Sequence, residues 1–399
     1  MGGRRRGGSV GGHIGAVAFG TLALVCGPLF GGSSEAQQQA PKQERVARVA
    51  GPRLNLNHLA EQMNANTLTV VTGAPTLIYT AFGYDLAAVL NNGDELRILP
   101  VISQGATQNV RDVRFLRGID LGFAQTNILG HYRRTGEIGD LTERLVYIAK
   151  ICNEEFHFVV RSDITSLEQL RGRKVNFNTR GSGTQLSARD IFGRLGIAVE
   201  EVNMGPADGL EKLKNGEIAA TVLTSGKPAP ALAPVKASDG YRILPVPFAK
   251  VLQDDYLPST LTHDDYPNLI PPGETIDTIA SGTILFAYNW PKNSDRYRRV
   301  DKFVQAFFSK FTEFQKPPRH PKWKETNLAS AVPGWKRFGG AEEWLASYRD
   351  QVLASRRKQF EQFLADRQIS TGRSQPMSET DRNQLFEDFV KWSQARETR

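Results

Sequence analysis

The feature that most constrains this chain is a repeated alternation of short apolar strands with amphipathic helical segments, joined by small glycine-bearing turns. Leu68 to Thr72 predicts a strand, followed by a Gly-Ala-Pro turn and a helix from about Thr76 to Leu90. Leu96 to Val101 is the next strand, Gly105-Ala106-Thr107 opens a helix through Leu116, and Asp120 to Gln125 is a third strand. The pattern resumes at Phe156 to Arg161 and continues through Lys174 to Asn178, a helix carrying Leu186, Ile191 and Leu195, then Ile218 to Leu223 and Tyr241 to Val246. Leu252 to Thr275 is rich in proline and aspartate and reads as irregular. Strand character returns at Thr283 to Tyr288, ahead of a helix from Asp295 to about Phe314. Strands separated by helices call for a parallel sheet covered on both faces. Two such runs and a return strand predict an α/β fold of two lobes joined by crossing segments.

In open α/β sheets ligands sit outside the carboxyl ends of the strands. Here those ends carry Thr72-Gly73, Ser103-Gln104-Gly105, Gln125-Thr126-Asn127, Arg180-Gly181-Ser182-Gly183-Thr184 and Thr224-Ser225-Gly226. Five small polar turns at equivalent places describe a cleft lined by hydroxyls, amides and backbone N–H groups. The Arg180 to Thr184 turn leads straight into a helix that Gly196 is placed to stop. The first amides of such a helix lack partners, and with the helix dipole they form a seat for an anion or carboxylate. The alternative is a tight turn whose glycines serve chain geometry alone.

Several functions are excluded or disfavoured by what the sequence lacks. Of 399 residues, 40% are hydrophobic, enough for a substantial core without metals or disulfides. Arg4-Arg5-Arg6, the apolar run Ile14 to Phe30 and Ser34-Glu35-Ala36 read as a secretory signal peptide over residues 1–36. Its removal would lower the formal charge from +8 to about +6, and no basic run interleaved with aromatics points to nucleic acid. The mature chain would keep only Cys152, placed by its apolar surroundings in the core. His157 falls in an expected strand and reads as a core or hinge histidine. No histidine has a partner at metal-ligand spacing. Gly181-Ser182-Gly183 matches neither a nucleophile elbow nor a phosphate-binding loop, and no pair of carboxylates stands out at the strand ends. Binding without catalysis is the expectation, with no cofactor and no metal.

The run from Leu68 to about Phe314 resembles the TAXI group of solute-binding receptors that serve TRAP (tripartite ATP-independent periplasmic) transporters. The family's G-S-G-T block is matched by Gly181 to Thr184 through Leu195-Gly196, and its L-x-G-x-x-V strand by Leu170 to Val175. Asp120 to Asn127 resembles the D-L-G-x-x-Q-S-D strand end. Leu213 to Ala220, then Gly226-Lys227-Pro228, resembles the L-x-x-G-x-I-x-A and G-x-P blocks. The chain departs from the family at Thr72 to Tyr79, at Gly105 to Asn109 and at Asn127, all first-lobe turns, so the resemblance leaves the ligand open. What it implies is a two-lobed periplasmic-binding-protein-like fold. The first lobe would take residues 67–157 and 275–340, the second 158–274, after an arm at 37–66.

The implied function is an exported, periplasmic receptor that captures an amino acid or small carboxylate and delivers it to TRAP membrane subunits. Expected ligand-binding residues are Thr72, Gly73, Thr76, Tyr79, Gln104, Thr107, Asn109, Gln125, Asn127, Arg180, Gly181, Ser182, Gly183, Thr184, Ser225 and Gly226. The rivals are a binding protein of an ABC importer or a ligand sensor with the same fold, and an exported hydrolase using Ser182 or Ser225. Residues 341–399 lie outside the resemblance. Trp344, Leu345, Tyr348, Val352, Phe360, Phe363 and Leu364 form a helical apolar stripe, and Ser378 with Asp381 is placed to cap a second helix carrying Leu385, Phe386, Phe389, Val390 and Trp392. Two readings stay open for this extension: packing on the lobes, or a docking surface for a partner or second copy.

Overall fold

Ten strands share one sheet, and two of them are long enough to run through both halves of the molecule. A computed structural model describes residues 56–75, 77–371 and 378–397. The expected signal peptide, most of the expected arm and Thr76 lie outside these residues. The strands are β1 (Thr67–Val71), β2 (Arg97–Val101), β3 (Leu121–Gln125), β4 (Leu145–Arg161), β5 (Lys174–Asn176), β6 (Glu200–Val202), β7 (Ala220–Ser225), β8 (Tyr241–Leu244), β9 (Leu257–Thr262) and β10 (Thr275–Tyr288). The helices are α1 (Leu56–Ala65), α2 (Ile78–Leu90), α3 (Ala106–Phe115), α4 (Thr126–Thr135), α5 (Gly183–Arg194), α6 (Pro206–Lys214), α7 (Asp295–Ser309), α8 (Phe311–Phe314), α9 (Gly339–Thr371) and α10 (Glu379–Glu397).

The sheet order is β2-β1-β3-β10-β4-β7-β5-β6, with β8 on β4 and β9 on β10. Each lobe has parallel pairs, β1 with β2 and β3 in one, β5 with β6 and β7 in the other. The antiparallel strands β4 and β10 sew these together. The sheet is therefore mixed, where the sequence pattern alone suggested a parallel one. The reason lies in β4: Leu145 to Cys152 and Phe156 to Arg161 read as separate apolar runs but form one strand of 17 residues.

The cores divide the same way. One cluster holds Leu68 to Cys152 together with Ile284 to Ala341, and includes Phe82, Phe123, Phe303, Phe307 and Trp323. Two others, around Phe158, Phe192 and Ile191 and around Leu213, Leu232 and Ile270, lie between Phe156 and Ile279. The first defines lobe 1 and the others lobe 2, with β4 and β10 contributing to both. Helix α7 shows how the pattern produces this. Val300, Phe303, Val304 and Phe307 recur at helical spacing and are buried, and Ser294 caps the helix by accepting from Tyr297 N.

Two further readings change. The region expected to be irregular contains β9, paired with β10 from Thr262↔Thr275 to Leu257↔Ala280. The end of the expected arm forms α1, whose residues are all at least partly exposed. The extension forms helices as expected, and Ser378 Oγ accepts from Asp381 N at 3.1 Å. Its start packs on lobe 1, where Trp344 meets Phe308 at 5.2 Å and Ala341 is buried. Farther along, Phe360 packs on Phe386 and Phe389 of α10. Among the described residues no helix is long and apolar enough to cross a membrane.

Candidate functional site

The crossing strands change character at the same level. On β4 the apolar run breaks at Asn153-Glu154-Glu155, and opposite it β10 carries Gly282, Ser281 and Ala280, with Thr283 next along opposite Cys152. Glu154 is buried and accepts from Gln125 Nε2 at 3.1 Å and from Thr283 Oγ1. Burial pushes its carboxyl up to about 7, against the pull of the nearby Thr283, Tyr79 and Gln125 donors. The Tyr79 ring stacks on Phe123 at 5.5 Å. Burial, with the Glu154 carboxyl close by, raises its phenol well above the usual range; the hydroxyl lies close to Glu154 and Thr283 but meets neither in full hydrogen-bonding geometry. Gln125 Oε1 and Thr224 Oγ1 are likewise buried without a partner, and all three residues are more than nine-tenths buried. Each such atom costs about 1–3 kcal/mol.

Beside them Glu155 accepts from Lys227 N at 3.0 Å and Lys322 Nζ at 3.4 Å. Lys322 comes from the return segment and also meets Glu325 at 2.8 Å and the Asn153 carbonyl at 3.3 Å. Gly226 lets Lys322 pass close by: a Cβ there would lie 2.7 Å from Lys322 Cε and would have to displace it.

The turn before α5 faces this group from lobe 2. Gly181 has φ +79° and donates its N–H to Gln185 Oε1 at 2.8 Å, and Ser182 Oγ accepts from Gln185 N at 3.1 Å. The Gly183 and Thr184 amides remain without an acceptor among the described residues. The Gln125 amide lies so close to Gly183 that no Cβ fits there. The lobes are thus in direct contact. Thr107 Oγ1 donates to the Ser182 carbonyl at 3.1 Å, and Asn127 Nδ2 donates to Ser187 Oγ at 2.7 Å. Arg134 of α4 holds Asp255 at 2.6 Å, which also takes Arg194 at 2.5 Å.

Of the expected ligand residues, the structure brings Tyr79, Gln125, Gly183 and Gly226 to the seam with Glu154. Others spend part of their bonding capacity on protein partners. Thr72 Oγ1 donates to the Val101 carbonyl at 2.9 Å, and the Gly73 carbonyl accepts from Thr80 Oγ1 at 3.0 Å. Asn109 spends its amide on the Thr72 and Phe123 carbonyls and its oxygen on Ser103 Oγ. Asn127 bonds Ser281 as well as Ser187. Thr184 Oγ1 accepts from Thr224 N, and Ser225 Oγ donates to the Gly226 carbonyl at 3.3 Å. Ser182 is a helix cap, Thr107 a link between lobes, and Gln104 packs against Gly181 at the exposed rim. Arg180 is exposed, so its charge gains nothing from a low-dielectric setting.

Cys152 and His157 are buried, as their apolar surroundings suggest. His157 Nε2 accepts from Tyr266 OH at 2.7 Å, Nδ1 faces the Leu223 carbonyl at 3.4 Å, and burial lowers its pKa to about 4. Neither Ser182 nor Ser225 has a histidine hydrogen-bonded to it among the described residues. Glu154, Glu155, Thr224, Thr283 and Lys322 are absent from the expected set. The first two had a signal: adjacent carboxylates in the middle of a 17-residue strand rich in apolar residues.

Among solved structures the chain is similar to the periplasmic aliphatic sulphonate binding protein of Escherichia coli, with 16% identity, 64% of this chain and 76% of that chain covered, and a TM-score of 0.39. It is similar to a Xanthomonas citri protein bound to ATP at 13% identity, covering 70% and 98%, with a TM-score of 0.44. An ancestral arginine-binding protein bound to arginine gives 18%, 65% and 97%, and 0.38. With TM-scores below 0.5, these likenesses carry no argument about the ligand. The NMT1-like family profile matches residues 70–335. That span is more than half of the chain and runs from β1 through both lobes and both crossing strands to the return segment, so the protein belongs to the NMT1-like family.

Proposed function

We propose that this protein is an exported, non-catalytic receptor that closes its lobes on a small polar solute and hands it to a membrane transporter. One observation carries the reading. Tyr79 OH and Gln125 Oε1, beside the Glu154 carboxyl, and Thr224 Oγ1 of lobe 2 are buried without a fully formed hydrogen bond. Buried polar groups are normally satisfied, and a bound solute would satisfy these.

The donor and acceptor pattern narrows the class. Glu154 and Gln125 Oε1 are acceptors and call for a donor, best a cationic one, while the Gly183 and Thr184 amides offer donors to a carboxylate. An amino acid carries both groups. The TRAP membrane subunits as partner follow from the TAXI resemblance alone. An ABC importer or a sensor would use the same cleft. Native mass spectrometry of the purified mature protein tests the reading by weighing any co-purified solute, followed by calorimetric titration with amino acids and small dicarboxylates. Failure of any of these to bind at millimolar concentration would overturn it. So would a neutral apolar ligand in the seam.

A further inference from the structure

A cavity of about 270 Å³ opens at the outer edge of the lobe seam, away from Glu154. Its walls come from α4, from Lys150 on β4 and Gly282 on β10, from the lobe 2 segment Gln253 to Leu257, and from Ala331 to Trp335 of the return segment. We propose that it binds a second small molecule, an organic anion with a flat apolar body.

The charge comes from two cations without carboxylate partners. Lys150 is half-buried, lays its stem against Gly282, and makes no ion pair or hydrogen bond with any described residue. Arg133 makes none either; its guanidinium lies over the Trp335 ring, 5.9 Å from the centroid. A half-buried ammonium without a counter-ion is unfavourable, and a ligand carboxylate or phosphate relieves it. The acidic groups in the wall do not supply that role. Asp255 is taken by Arg134 and Arg194, and Asp254 is exposed to solvent. Trp335, Val332 and Pro333 form an apolar wall for the body of the molecule. The volume is near the lower end of the range for small-molecule pockets, which suits an occupant about the size of a single substituted ring. Because both lobes and both crossing strands line it, the cavity exists as such only when the lobes are together, so its occupant would favour the closed arrangement.

Benzoate and phenyl phosphate are the probes, benzamide the neutral control, and calorimetric titration of the full mature chain the assay. We expect one of the two anions to bind with one-to-one stoichiometry, and benzamide to bind at least about tenfold more weakly. Lys150→Met keeps the stem over Gly282 and should weaken the anion by about tenfold or more, and Trp335→Ala should weaken it too. If Lys150→Met fails to fold, Arg133→Gln, at an exposed position, gives the same comparison. Absence of binding by both anions at millimolar concentration overturns the proposal. So does anion binding that Lys150→Met and Trp335→Ala leave unchanged, since the molecule would then sit elsewhere, the Glu154 seam included.

Discussion

Replacing Glu154 with glutamine isolates the electrostatics of the seam. The folded protein holds this carboxyl at about 7, against 4.5 for an ordinary glutamate, chiefly because burial disfavours the charge. With the folded value raised, the stabilising contribution is complete below about pH 4.5 and is lost as pH rises through about 7, a change of about 3 kcal/mol. His157 works in the opposite sense. Burial holds it at about 4 against 6.5, so stability is complete above about pH 6.5 and falls by about 3 kcal/mol as pH drops toward 4. Between about pH 4.5 and 6.5 the two slopes oppose each other, and the pair leaves the wild type nearly level. Glu154→Gln removes one slope. Urea denaturation followed by tryptophan fluorescence across this range should show the variant gaining on the wild type by about 3 kcal/mol between pH 4.5 and 7. A difference that stays constant within about 1 kcal/mol would refute the reasoning, because Glu154 would then titrate as an exposed carboxyl does.

Three further outcomes follow from named contacts. Ser182→Ala removes the acceptor for Gln185 N and should cost about 1 kcal/mol in the unliganded protein, read by denaturant titration; an unchanged midpoint would show that the cap is not formed. Gly183→Ala places a methyl against the Gln125 amide and should hold the lobes apart, seen as a larger radius of gyration in solution scattering and at least about tenfold weaker solute binding. Truncation after Gly340 strips Trp344 from Phe308 and should lower the melting temperature by several degrees, whereas truncation after Asp350 should change it little. Equal melting temperatures for the two truncations would show that α9 contributes nothing to lobe 1.

Much of the fold was legible because its elements are local. The strand–turn–helix units of lobe 1, and the Arg180 to Thr184 turn with its helix, follow from apolar spacing and glycine placement. What the pattern could not supply was pairing between distant segments. β4 looks like two strands because three polar residues interrupt it, and only its partner β10 shows that these mark a crossing rather than a loop. The site was legible to the same extent. The turns were found at the right ends of the right strands, but which of their side chains stay free depends on tertiary partners. Asn109 and Gln125 are both amides in strand-end turns. Asn109 is fully used by Thr72, Ser103 and Phe123, and Gln125 is left with an open oxygen. Lys322 reaches the seam from a segment far along the chain, and no local signal marks it.

The same contacts bear on how such a seam can open and close. Thr107 to Ser182, Asn127 to Ser187 and Arg134 to Asp255 join the lobes by side-chain bonds. At about 0.5–1.5 kcal/mol each they favour closure by about 1.5–4.5 kcal/mol. Against this stand three buried unpartnered atoms, Tyr79 OH, Gln125 Oε1 and Thr224 Oγ1. They cost about 3–9 kcal/mol together while the lobes are shut on nothing that bonds them. The two sums are of the same order, so the closed arrangement without solute sits near balance with an open one. A solute that supplies even two of the missing bonds removes about 2–6 kcal/mol of that cost and tips the equilibrium toward closure. A ligand bound equally well by both arrangements would shift nothing, however tightly it bound. The unsatisfied atoms make closure depend on the solute, and the lobe-to-lobe bonds make it complete once the solute is in place.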